Sequence, residues 1–226
     1  MDQDDDSVWE EMTGMSKEWM PPVAFPDLDM WPRVKAQIRA MASQGWTLQM
    51  RLTPADLEEL ASLDPERVDQ YFVAFYTEDD FAELRVVREK LARRNSLAPW
   101  QELLDEAVDS FVDGRHRITI PALLSIIEGV VASAGAVISS RRSDLVAALT
   151  QNAEKLGSDS LRGELWISFR DFLEKLFENA PFDGARPARI NRHWILHGRD
   201  TAAGSWTVAD SLRLFNALQT VASLLV

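Results

Sequence analysis

Thr119-Ile-Pro-Ala-Leu-Leu-Ser-Ile-Ile-Glu-Gly-Val-Val-Ala-Ser-Ala134 is the most apolar stretch of the chain. Its large residues recur at Leu123, Leu124, Ile127, Val130, Val131 and Ala134, steps of one, three, three, one and three. A helix with 3.6 residues per turn gathers these positions into one wide stripe facing a core. Thr119-Ile-Pro121 predicts the helix start. Outward from this helix the same period continues. Residues 28–43 run to a stop at Gly45, and Thr53-Pro and Asp64-Pro each set a capping residue before a proline at the first helical position. Thr77 precedes a charged helix reaching about Arg94, and Ala98–Val112 ends at Asp113-Gly114. Further helices are predicted over Ser143–Leu156, Ser158–Asn179, Ala188–Gly198 and Val208–Leu225, the last opened by the capping-box pattern Thr207-Val-Ala-Asp210. No segment alternates apolar and polar residues over a strand's length, and no repeat is visible. The expected fold class is all-α.

Composition narrows the function classes. The 226 residues are 46% hydrophobic, enough to bury a core. Cys is absent, which excludes disulfide scaffolds, thiolate metal sites and cysteine nucleophiles. Imidazole chemistry rests on His116, His193 and His197. The mostly apolar run Ile118–Ser140 is interrupted by Glu128 and several serines, a poor membrane span. The N-terminus is acidic where a secretory signal would be basic and then apolar, so a cytoplasmic protein without membrane association is expected.

The net charge of −12 is unevenly placed. Residues 1–30 carry Asp2, Asp4, Asp5, Asp6, Glu10, Glu11, Glu18, Asp27 and Asp29 against Lys17, a net −8. Residues 181–226 carry Arg186, Arg189, Arg192, Arg199 and Arg213 against Asp183, Asp200 and Asp210, a net +2. The acidic average therefore describes the head of the chain and does not exclude nucleic acid at its other end. Three regions are expected: an acidic tail over 1–27, a helical region over 28–97, and a helical bundle over 98–226.

The chemistry-bearing stretch is Ile190-Asn-Arg-His-Trp-Ile-Leu-His-Gly198. Residues four apart share a helix face, which places His193 beside His197. Arg192 is five residues from His197, about 140° around the axis. It reaches that side only by bending its long side chain over the helix start, where free N–H groups favour a phosphate. Asn191 is a candidate cap. Three readings of the pair stand open. The histidines can bond neighbouring helices while Trp194 and Ile195 pack. His-x3-His has zinc spacing, but Trp194 stands where a zinc peptidase carries Glu. The pair can also do acid–base work on a phosphodiester, with Arg192 stabilising charge. Glu128, a carboxylate in an apolar helix, either orients Arg192 or His193 or lies on the stripe's exposed edge. His116 reads as a loop or capping residue.

Arg192, polar His193, three residues and His197 resemble the R-polar-x3-H motif of the HEPN superfamily (higher eukaryotes and prokaryotes nucleotide-binding). Ile120-Pro-Ala-Leu-Leu-Ser-Ile-Ile-Glu-Gly129, Asn191–Arg199 and Gly204–Arg213 are similar to successive parts of uncharacterised bacterial HEPN-like proteins. The resemblance covers residues 98–226. It implies a bundle of four or more helices that pairs as a homodimer with two motif helices together. It also implies a metal-independent endoribonuclease without cofactors, in a toxin–antitoxin or phage-defence setting, with RNA as substrate and an antitoxin as a partner. In that frame His197 is the acid/base, Arg192 holds the scissile phosphate and His193 orients them, supported by Asn191 and Glu128. Branches of the superfamily that keep the fold without catalysis imply the alternative, a helical module for dimerisation and for partner or nucleotide binding.

Overall fold

Capping chemistry sets most of the helix starts. In the computed structural model, which describes residues 30–134 and 160–225 with residues 144, 147, 150 and 151 between them, Thr53 and Asp56 form a reciprocal capping box. Asp64 accepts from the Arg67 N–H at 2.9 Å, and Ser160 from that of Gly163 at 3.0 Å. Thr207 and Asp210 form a second reciprocal box. Each device occupies N–H groups that a helix start leaves without partners.

Eight α-helices and no strand occur among the described residues. They are α1 (Met30–Ser43), α2 (Pro54–Ser62), α3 (Pro65–Ala92), α4 (Gln101–Val112), α5 (His116–Ala134), α6 (Leu161–Leu176), α7 (Arg192–Leu196) and α8 (Val208–Leu224). Two 3-10 turns, Asn95–Trp100 and Ala203–Ser205, join them. The all-α class holds. The acidic tail, the predicted stop at Gly157 and most of the Ser143–Leu156 helix lie outside the described residues.

Several boundaries differ from expectation, three of them in α3 to α5. α5 begins at His116 rather than Thr119, because Gly114 (φ 78°) turns the chain sharply after α4 and the Arg115 N–H closes on Ser110 O at 2.8 Å. Thr119 is then internal, its hydroxyl bonded to His116 O and Ser211 Oγ, and Pro121 sits inside the helix. The helix read from Ala98 starts instead as a 3-10 turn, since Pro99 has no N–H for a regular ladder. The break placed at Thr77 is real but lies at Glu78–Phe81, inside α3, where Asp79, Asp80 and Phe81 have φ of 49°, 56° and 61°.

α8 is the axis of the molecule. It packs against α5, α3 and α6; α4 covers α5, and α1 lies on α6 and α2. Helices α1 to α3, from the region read as 28–97, thus contribute to the same core cluster as the rest. α5 is the one described helix long and apolar enough to cross a membrane by composition. Its Leu123, Leu124, Ile127, Val130 and Val131 are buried in that core, as a core helix requires.

Polar residues on α8 find partners in a non-helical segment, Trp46–Gln49, that runs across it. Asn216 Nδ2 donates to Thr47 O (2.7 Å) and Thr47 Oγ1 (2.9 Å), and its Oδ1 accepts from the Tyr76 hydroxyl (2.7 Å). Thr220 donates to Leu48 O at 3.2 Å. Backbone groups without a ladder are thereby satisfied inside the core.

Candidate functional site

The motif helix is short. Pro187 and an extended Asn191 (φ −129°, ψ 124°) keep the chain non-helical up to residue 191, so α7 covers Arg192–Leu196 rather than Ala188–Gly198. Asn191 does cap it: Oδ1 accepts from the Trp194 N–H at 3.1 Å while Nδ2 donates to Glu178 O at 2.9 Å. Trp194 Nε1 donates to Ala180 O at 2.9 Å. At the other end Gly198 (φ 64°) lets the Arg199 N–H return to Trp194 O at 2.8 Å. Ile190, Trp194 and Ile195 are buried anchors. His193 and Arg192 are half-buried, and His197 is exposed.

Arg192 reaches across to α5. Its Nε donates to Glu128 Oε2 at 2.9 Å, and Nη2 to Oε1 and Oε2 at 2.7 Å each. The two side chains are 20% and 18% exposed, so this ion pair is considerably more shielded than a surface pair. The guanidinium carbon also lies 5.6 Å from the centre of the Phe177 ring. Glu128 therefore orients Arg192 and is not a bystander on the stripe's edge. The next residue serves a different contact: a Cβ on Gly129 would lie 2.4 Å from Trp100 Cζ2, so only glycine lets that indole pack there.

This arrangement corrects two expectations. Arg192 does not bend over the start of its own helix toward His197, and among the described residues no hydrogen bond joins them; Glu128 offers its guanidinium a bidentate partner instead. The start of α7 is also a weaker attraction for a phosphate than expected, because Asn191 occupies the Trp194 N–H and five residues sum to little dipole.

The imidazoles do meet. The rings of His193 and His197 are 4.6 Å apart between centroids, at 67°. Partial burial, and then the positive charge of His197 and Arg192, hold the His193 pKa below its usual value. The outer face of His193 is stacked on Phe182 at 4.5 Å and 4°. Phe182 also meets the edges of His197 and Trp194, each at 6.0 Å, and the Arg199 guanidinium lies 5.1 Å from its centre. Sequence reasoning missed Phe182 and Arg199. The available signal was Pro181-Phe-Asp-Gly184, a turn closed by a Gly184 N–H to Pro181 O bond, with an aromatic where turns usually carry polar residues.

The other sequence candidates lie elsewhere or are already paired. His116 is the first residue of α5 rather than a loop or capping residue, with Nε2 3.3 Å from Trp206 O. Arg186 is bidentate to Asp200, and Arg213 is held by Asp210 and Asp69. Much of the positive charge counted over 181–226 is thus neutralised locally. Among the described residues no group of three or more His, Asp or Glu side chains is arranged to hold a metal ion. Comparison of the chain with family models, curated proteins and solved structures gives no match.

Proposed function

We propose that the chain is a HEPN-like, metal-independent endoribonuclease acting as a homodimer, in a toxin or phage-defence setting. The observation that carries the reading is the pairing of His193 with exposed His197, rings 4.6 Å apart, beside an Arg192 that Glu128 holds and whose charge acts on His193. In RNA cleavage of this kind the 2′-oxygen loses its proton and bonds to the adjacent phosphorus, while the bond to the 5′-oxygen breaks and that oxygen gains a proton. The products are a 2′,3′-cyclic phosphate and a 5′-hydroxyl. His197, exposed and next to a second imidazole, is suited to one of these transfers. Glu128 occupies Nε and Nη2 of Arg192, which leaves Nη1 for a phosphate oxygen and for the charge that grows on it. His193 is held rigid by its stack on Phe182 and sets the position of His197.

One observation favours a second reading. The bidentate Glu128 already balances the charge of Arg192, as it would in a non-catalytic module that binds a nucleotide or a protein partner such as an antitoxin. Incubating the purified protein with mixed RNA in EDTA separates the two. Cleavage by the wild type that falls at least about a hundredfold in both Arg192→Ala and His197→Ala, with helical content retained, supports the enzyme. Glu128→Gln should lower the rate less than Arg192→Ala. No cleavage by the wild type, or equal cleavage by the variants, leaves the binding module.

A further inference from the structure

Phe182 is one of three large apolar side chains exposed among the described residues, at 39%. It stands at the tip of a turn, where a polar residue would cost nothing. Its ring is nevertheless not loose. The parallel stack on His193, the edge contacts of His197 and Trp194, and the guanidinium of Arg199 fix its plane. His193 and Trp194 are themselves set by the Asn191 cap and the Ala180 bond. An exposed aromatic ring held in one orientation among cationic and imidazole groups suits a ligand that is both flat and anionic. A nucleobase with its phosphate is such a ligand. Stacking is tolerant of base identity; a base takes the place over the ring that the exposed Arg199 guanidinium holds, and that guanidinium then meets a base edge or a phosphate oxygen. Arg199 is exposed, and no carboxylate pairs with it among the described residues. The turn's own acid, Asp183, is exposed as well.

We infer that Phe182 and Arg199 form a nucleobase-binding subsite beside the two histidines, with Phe182 as the stacking surface and Arg199 as the anion contact. The inference deepens the ribonuclease reading by placing the base next to the reacting phosphate, yet it concerns binding and can be tested without cleavage. The experiment is calorimetric titration of the full-length protein with adenosine 5′-monophosphate and, separately, with ribose 5-phosphate. The nucleotide should bind about tenfold more tightly, the size of one aromatic stacking contact. Phe182→Ala should abolish that difference and Phe182→Trp should keep it, while Arg199→Gln should weaken both ligands. Equal affinities, failure of the nucleotide to bind, or a preference that survives Phe182→Ala would overturn the subsite. So would a shift in sedimentation showing that Phe182→Ala dissociates the protein, since the ring would then belong to an interface between copies. Nucleotide preference without RNA cleavage retains the subsite and rejects the ribonuclease. Cleavage indifferent to Phe182 does the reverse.

Discussion

His193 shows how a single side chain is tuned by its neighbours. Its ring loses water on one face to Phe182 and has positive charge nearby from His197 and Arg192. Folding therefore disfavours its protonated form. As the pH falls through the usual imidazole value of 6.5 toward the lower folded-state value, the unfolded chain binds more protons than the folded one. Stability must then decline with falling pH across that interval, and be fully present above it. Urea unfolding at several pH values should show wild type losing more stability between pH 7 and 5 than His193→Gln does. Parallel profiles for the two proteins would show that this ring does not couple to folding. The sequence placed His193 beside His197 through the four-residue step alone. It could not supply Phe182, because the stack depends on where a Pro- and Gly-bounded turn comes to rest.

At the scale of elements, α5 joins the core to the site. Its stripe was legible because Leu123, Leu124, Ile127, Val130 and Val131 follow the helical period, and all five are buried. Glu128 and Gly129 interrupt that stripe for different reasons. The carboxylate reaches Arg192 on α7, and the missing side chain admits the Trp100 indole. Gly129→Ala should cost about 1–3 kcal/mol through overpacking, measured by chemical denaturation. In a Trp100→Ala background the same change should be neutral or stabilise by up to about 1 kcal/mol, because alanine is the better helix former. A full cost in both backgrounds would remove the steric explanation. The extent of α7 was only partly legible: Asn191 was readable as its cap, but the apolar spacing runs on from Ala188, and the extended Asn191 backbone decides where the ladder starts.

For the whole molecule, the decisive feature is a central helix buried on nearly every side, polar residues included. Asp210, Ser211, Arg213, Asn216, Gln219 and Thr220 all lie below the surface on α8. Asn216 is fully buried and ties Thr47 and Tyr76, on two other segments, to the axis. Asn216→Leu should cost about 3–5 kcal/mol, because it leaves the Tyr76 hydroxyl without its acceptor and the Thr47 carbonyl without its donor. Adding Tyr76→Phe should recover part of the loss, since one of the stranded groups is then gone. Additive losses in the two-variant cycle would mean that the bond carries no coupling. A second long-range tie, Arg39 on α1 to the fully buried Glu164 on α6, closes the same core from its other side.

The amino-acid sequence by itself determined the helices, through period, proline and capping residues, because those signals act within one or two turns of chain. It also determined that His193 and His197 share a face. Only the tertiary structure decided what Arg192 is paired with, which residue flanks the imidazoles, and how many of the C-terminal arginines are already neutralised. Those outcomes depend on contacts between segments far apart in the chain, such as Glu128 with Arg192 and Asp69 with Arg213. Local pattern holds no information about such distances; packing around α8 sets them.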